Sequence, residues 1–115
     1  MAEAEPISLI EDWHAHVYFD EESKDAAWSL REEIGKQFEV ELGRFHERKV
    51  GPHPCWSYQI LFSPALFASL VPWLALNRRD LVIFIHPNTD DELKDHRDRA
   101  IWLGAKLDLK LDIFE

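Results

Sequence analysis

At 115 residues, with 46% hydrophobic and 12% aromatic content, the chain suits one globular domain over residues 1–115, with a single core and too little length for two. Thirteen Lys and Arg against 22 Asp and Glu leave a net charge of −9; such a surface repels a phosphate backbone, so nucleic acid is not an expected partner. No apolar run reaches the ~18 residues of a membrane span. The opening MAEAEPISLIED is acidic and lacks the basic-then-apolar order of a secretory signal, so a soluble cytoplasmic protein with no membrane partner is expected.

The first predicted element is a strand over Trp13 to Phe19, where Ala15, Val17 and Phe19 alternate with His14, His16 and Tyr18. A helix follows from Ser23, a candidate N-cap, through Ala27, Leu30 and Ile34 to Gln37. Val40 to Glu47 and Cys55 to Phe62 read as two strands of a wide hairpin around VGPHP, where Gly51 and two prolines interrupt the ladder. Cys55, the one cysteine, allows no intrachain disulfide and no Cys-x-x-Cys zinc site, and is expected as a small buried hydrophobe.

Ser63-Pro64 marks a helix start, and the nearly all-apolar run to Asn77 predicts a helix buried on most sides and kinked at Pro72. LVIFIHP, Leu81 to Pro87, reads as a strand closed by His-Pro. DDELKDHRDRAIWLG predicts a third helix ending at Gly104, and the alternation of KLDLKLDIF a final strand.

The order β-α-β-β-α-β, then α-β, predicts an α+β fold: a ferredoxin-like split βαβ antiparallel sheet with spatial order 4-1-3-2, helices on one face, and an extra helix and strand at the end. The other face would carry His14, His16, Tyr18, Val82, Phe84 and His86, with Trp56 and Tyr58 as further candidates. That face is too apolar for open water, which argues for a homodimer packed through it.

Six histidines are present: His14, His16, His46, His53, His86 and His96. Positions i and i+2 on a strand project to one side about 6.8 Å apart, close enough for His14 and His16 to converge on one ion. An antiparallel fourth strand would bring His86 beside them. Three neutral nitrogens with open positions suit a catalytic Zn, Fe, Ni or Cu ion. The same spacing also fits half-buried, hydrogen-bonded imidazoles or pH-sensitive groups at an interface. His46 and His53 flank the hairpin near Arg44, at the sheet end opposite His86, so a shared site requires the hairpin to curl over the face or a second subunit to supply it. His96, among Asp95, Arg97 and Asp98, reads as solvated or salt-bridged. Trp28, Trp73 and Trp102 read as helical core or interface aromatics.

HAHVYF near the start, FHERKVGPHP in the middle, and FIHPNTDDELKDH followed by AIWLG together resemble the DOPA 4,5-dioxygenase family from Trp13 to about Gly104. The resemblance implies a ferredoxin-like α+β fold and extradiol cleavage of a catechol such as DOPA with O2 and non-haem Fe(II), for which Zn(II) is a possible substitute. The family's histidine motifs fall on His14 and His16, His46 and His53, His86, and His96. Within that set the assignment is metal to His14, His16 and His86, acid/base duty to His53, and substrate binding to Arg44, His46 and Tyr18. The alternatives are a metal-dependent enzyme of another reaction on the same fold and a non-catalytic dimeric metal- or ligand-binding module.

Overall fold

The computed structural model describes residues 3–115; the first two residues of the acidic opening lie outside them. The chain runs β1 (Asp12–Phe19), α1 (Lys24–Gln37), β2 (Glu41–Leu42), β3 (Trp56–Phe62), α2 (Phe67–Asn77), β4 (Val82–Asn88), α3 (Glu92–Arg97) and β5 (Ile101–Leu103), with 3-10 turns at Ile7–Leu9, Pro64–Leu66 and Leu111–Phe114. The strands form one sheet in the order β2-β3-β1-β4-β5, every neighbouring pair antiparallel. This is the expected 4-1-3-2 arrangement with a fifth strand added outside the fourth.

β1 and β4 are central strands, and most of their residues are buried on both faces, by the helices on one side and by the hairpin, β5 and α3 on the other. That is why VIFIH reads as a continuous apolar run rather than an alternating one. Ala15, Val17 and Phe19 of β1 and Ile83 and Ile85 of β4 face the helices, where they pack with Tyr58, Ile60 and Phe62 of β3, Ala27, Leu30 and Ile34 of α1, and Leu70 and Leu74 of α2. The opposite side chains, His14, His16, Tyr18, Phe84 and His86, share the other face. Residues directly opposite on paired strands project to the same side, and His14 faces His86, His16 faces Phe84, and Tyr18 faces Val82.

The structure corrects several expectations. Tyr58 and Trp56 pair with Val17 and Phe19, which puts them on the helix side; Ser57, Gln59 and Leu61 take the His-bearing side instead. The first hairpin arm forms a ladder only at Glu41–Leu42, and a single bridge, His46 to Ser57, continues it. α2 buries only Leu70 and Leu74 fully, and Leu76 is 86% exposed, so this apolar helix covers the sheet with one face. The predicted third helix stops at Arg97 because Ile101–Leu103 adds to the edge of β4, pairing with Ile83, Phe84 and Ile85. Trp102 is therefore a strand residue stacked on Phe84, with ring centroids 4.6 Å apart. The KLDLKLDIF segment forms no strand: residues 105–110 run without regular structure into the turn Leu111–Phe114. Ser23 precedes α1 as expected, yet its hydroxyl bonds Asp20 and does not cap the helix. Cys55 is half-buried.

The premise for a partner on the His-bearing face also changes. Phe84 is 0% and Tyr18 3% exposed within the single chain, because His53, Trp102 and His96 close over them. The apolar side chains expected to lie bare on that face are thus covered within the single chain.

Candidate metal centre

The site is built on the two central strands. Extended backbone sends His14 and His16 to one side of β1, and the antiparallel register sets His86 directly opposite His14. One ligand atom from each of His14, His16 and His86 lies within 4.8 Å of the other two, and the Nε2 atoms of His16 and His86 are 3.1 Å apart. Two nitrogens ~2.1 Å from a common ion and at right angles to each other would stand ~3.0 Å apart. The spacing therefore fits shared coordination, and in the metal-free chain it lets one ring's N–H donate to the other's nitrogen.

Three further observations favour the fit. His86 donates its Nδ1–H to the Pro87 carbonyl at 2.9 Å, which fixes the tautomer and leaves the Nε2 lone pair turned toward His16. Burial, first among the causes, lowers the pKa of His14, takes His16 well below its ordinary value, and brings His86 down to about 3, with the neighbouring imidazoles adding to the effect. The rings are thus held neutral, the form that binds a metal. Among the described residues no carboxylate joins the cluster.

His53 reaches this face because the hairpin does curl over it. The His46–Ser57 bridge holds its neck, Gly51 adopts φ +54, a left-handed turn conformation that suits glycine, and His53 N–H closes the turn on the Val50 carbonyl. The His53 ring then sits 4.2 Å from His16 by centroids, with Nδ1 2.7 Å from the Tyr18 hydroxyl. Burial lowers the His53 pKa to about 4 and raises that of Tyr18 well above its usual range, so the pair is a neutral imidazole and a phenol. If Nδ1–H donates to the phenol oxygen, Nε2 is free to take a proton; if the phenol donates to Nδ1, Nε2 carries one to give.

Beside His16 and His53 opens a cavity of about 180 Å³ lined also by Arg44, His46, Ser57 and Gln59. This is below the ~300–1,000 Å³ of sites for drug-sized ligands and suits a compact, single-ring molecule. Arg44 makes no ion pair among the described residues. Tyr18 does not line this cavity: it is buried, and its hydroxyl is engaged by His53.

His96, which the family's motifs include but which reads from its neighbours as solvated or salt-bridged, was given no role in the site. α3 folds back beside the end of β4 and sets the His96 ring 4.0 Å from His86, with Nδ1–H donating to the Glu92 carbonyl one helical turn earlier. The sequence signal was its distance of only ten residues from His86, with a Thr-Asp turn between. Asp95, buried beneath, holds that turn by accepting from Thr89 N–H and hydroxyl and from Arg99. Imidazoles thus bracket the triad on both sides, His53 against His16 and His96 against His86.

The model of the Dopa 4,5-dioxygenase family matches residues 13–113. A DOPA 4,5-dioxygenase of Amanita muscaria is 38% identical over 114 residues, covering 90% of this chain and 50% of that protein. An uncharacterized 21.2 kDa protein of Botryotinia fuckeliana is 38% identical over 110 residues, covering 85% of this chain and 60% of the relative. The chain therefore spans about half the length of the curated relatives it matches. The crystal structure of a putative dioxygenase from Nostoc punctiforme superimposes with a TM-score of 0.93 at 47% identity, covering 95% of each chain. The family match takes in every histidine of the two strands, the hairpin and α3, and it agrees with the backbone of a solved relative: the chain belongs to the Dopa 4,5-dioxygenase family.

Proposed function

We propose that this chain is an extradiol dioxygenase that opens the ring of a catechol such as DOPA at the 4,5 bond, with O2 as co-substrate and a non-haem metal, Fe(II), held by His14, His16 and His86. The observation that carries the proposal is the convergence of these three side chains, with ligand atoms within 4.8 Å of each other, next to a small polar cavity lined by Arg44, His46 and His53. An iron(II) ion supplies the Lewis acidity that favours a catecholate and the electronic access that O2 needs for reaction with a closed-shell substrate.

The chain's own residues carry the remaining work. Catechol enters beside His16, and the His53 Nε2 accepts a hydroxyl proton while Nδ1–H stays on the Tyr18 oxygen. Reversal of that hydrogen bond lets the same nitrogen return a proton later. Arg44, with His46 beside it, offers a planar donor for a substrate carboxylate at the far wall of the cavity. Both oxygen atoms of O2 end in the ring-opened semialdehyde as one ring carbon–carbon bond breaks.

Anaerobic loading with Fe(II), followed by air and a panel of catechols, tests the reading. Expected is a yellow ring-opened product from DOPA or a related carboxylated catechol, and Arg44→Ala should raise KM for such substrates by about 10-fold or more, the worth of one charge-assisted hydrogen bond, without doing so for unsubstituted catechol. Bound iron with no turnover across the panel would leave a metal-dependent enzyme of another reaction on this fold. Failure to retain any divalent metal would remove the proposal.

A further inference from the structure

The segment after β5 runs irregularly back past the site: it bonds the residue before one of the bracketing imidazoles and packs on the other. Gly104, at φ +94, turns the chain out of the sheet. Six residues later the Lys110 N–H donates to the carbonyl of buried Pro52 at 2.9 Å, immediately before His53. The turn Leu111–Phe114 then lays the Phe114 ring on His96, with centroids 4.3 Å apart and planes 33° from parallel. His96 is thus sandwiched between Phe114 and His86. The alternation of KLDLKLDIF now has a physical meaning: Leu107, Leu109, Leu111 and Phe114 are half-buried while Lys106, Asp108, Lys110 and Asp112 are exposed, the pattern of an extended strap with one apolar side.

We infer that this strap is part of the site, and that the Lys110 backbone N–H and the Phe114 ring are positioning groups, the first for His53 and the second for His96. The inference rests on the proposed function for its catalytic meaning, though not for its geometry. His14, His16 and His86 are fixed by the β1–β4 ladder, whereas the flanking imidazoles come from a loop and a six-residue helix, so the strap adds to the Tyr18 bond that holds His53 and to the Glu92 bond that holds His96.

The strap therefore separates two properties that a general structural role would move together. Lys110 sits at φ −84, which proline tolerates, so Lys110→Pro deletes the N–H with little backbone strain, while Lys110→Ala keeps it. In metal-free protein at neutral pH, imidazole 1H–15N spectra should show the His53 signals displaced in Lys110→Pro and unmoved in Lys110→Ala. The His96 signals should be displaced in Phe114→Ala and restored in Phe114→Tyr. Zn(II) affinity should stay within about 3-fold of wild type in all four, whereas kcat of the Fe(II)-loaded enzyme should fall about 10-fold in Lys110→Pro and Phe114→Ala, the scale of losing a group that orients a functional side chain. Unmoved His53 and His96 signals, or a loss of Zn(II) affinity as large as the loss of kcat, would overturn the inference. The spectra decide it even if no catechol is turned over, so its failure is distinguishable from failure of the dioxygenase reading.

Discussion

The Nε2 atoms of His16 and His86 stand 3.1 Å apart although the two residues are 70 positions apart in the chain. The antiparallel β1–β4 register makes them diagonal neighbours on one face, and the His86 bond to the Pro87 carbonyl turns its Nε2 toward His16, so no loop is needed to bring the pair together. Replacing either ring by alanine should abolish tight metal binding: at least a 100-fold loss of Zn(II) or Co(II) affinity, beyond the 10–100-fold seen when only a supporting hydrogen bond is lost, while far-UV circular dichroism stays unchanged. His14→Ala should do the same. Turnover and affinity unchanged in His16→Ala would remove His16 from the ligand set.

How much of this was legible follows from where each residue sits. His14, His16 and His86 lie on regular strands, where period-2 alternation and antiparallel pairing fix side and register, so their convergence could be read from HAH and FIHP alone. The hairpin could not be placed that way: its path depends on Gly51 at positive φ and on one isolated bridge, and only the coordinates set His53 beside His16. IWLG failed as a helix end because three residues of edge strand gain a ladder and the Trp102–Phe84 stack, a tertiary gain that no local pattern reports. His96 was hidden by its charged neighbours. Its helix is short, and the face it presents is set by buried Asp95, a carboxylate that looks in sequence like one more surface acid.

The buried imidazoles make stability of the metal-free protein pH-dependent in a definite direction. His16, His53 and His86 have folded-state pKa values below the unfolded ~6.5. The unfolded chain therefore binds more protons as pH falls. The stability conferred by keeping these rings neutral is fully present above ~6.5 and is lost as pH drops toward about 4 for His53 and about 3 for His86. Each ring contributes up to ~1.4 kcal/mol per pH unit inside that window. Urea midpoints of metal-free protein should fall steeply between about pH 6.5 and 5, above the range where most carboxylates titrate; a flat curve there would show that the rings protonate without unfolding.

Tyr18 was expected to touch substrate; its hydroxyl bonds His53, and its side chain does not line the cavity. Its hydroxyl is buried against His53 Nδ1 at 2.7 Å, so Tyr18→Phe leaves His14, His16, His86 and the cavity wall in place while depriving His53 of its partner. On the proposed mechanism kcat should fall about 10-fold, a fraction of the 10²–10⁴ that general acid–base catalysis contributes, with KM nearly unchanged. A rise in KM at constant kcat would instead return Tyr18 to the substrate-binding residues.

Asp95 is the least exposed carboxylate described, at 1%, and it is satisfied by Thr89 N–H at 2.7 Å, the Thr89 hydroxyl at 2.9 Å and Arg99 Nη1 at 3.0 Å. Removal of a buried charged acceptor costs more than its bonds are worth, because the donors left behind lose both the partner and water. Arg99 also reaches Glu5 and is partly exposed, so it finds a substitute, whereas Asp95 is the acceptor for both the Thr89 amide and its hydroxyl. Asp95→Ala should therefore destabilise by about 2–3 kcal/mol, less than the 3–5 of a fully buried pair. Arg99→Ala should cost clearly less, and the double variant should fall short of the sum, since the two share one interaction. Because α3 carries His96 against His86, Asp95→Ala should also displace the His96 imidazole signals, whereas those of His53, held from the hairpin, stay where they are. Strict additivity in chemical denaturation would show that Asp95 and Arg99 stabilise α3 independently, and α3 would then owe its position to the chain on either side of it.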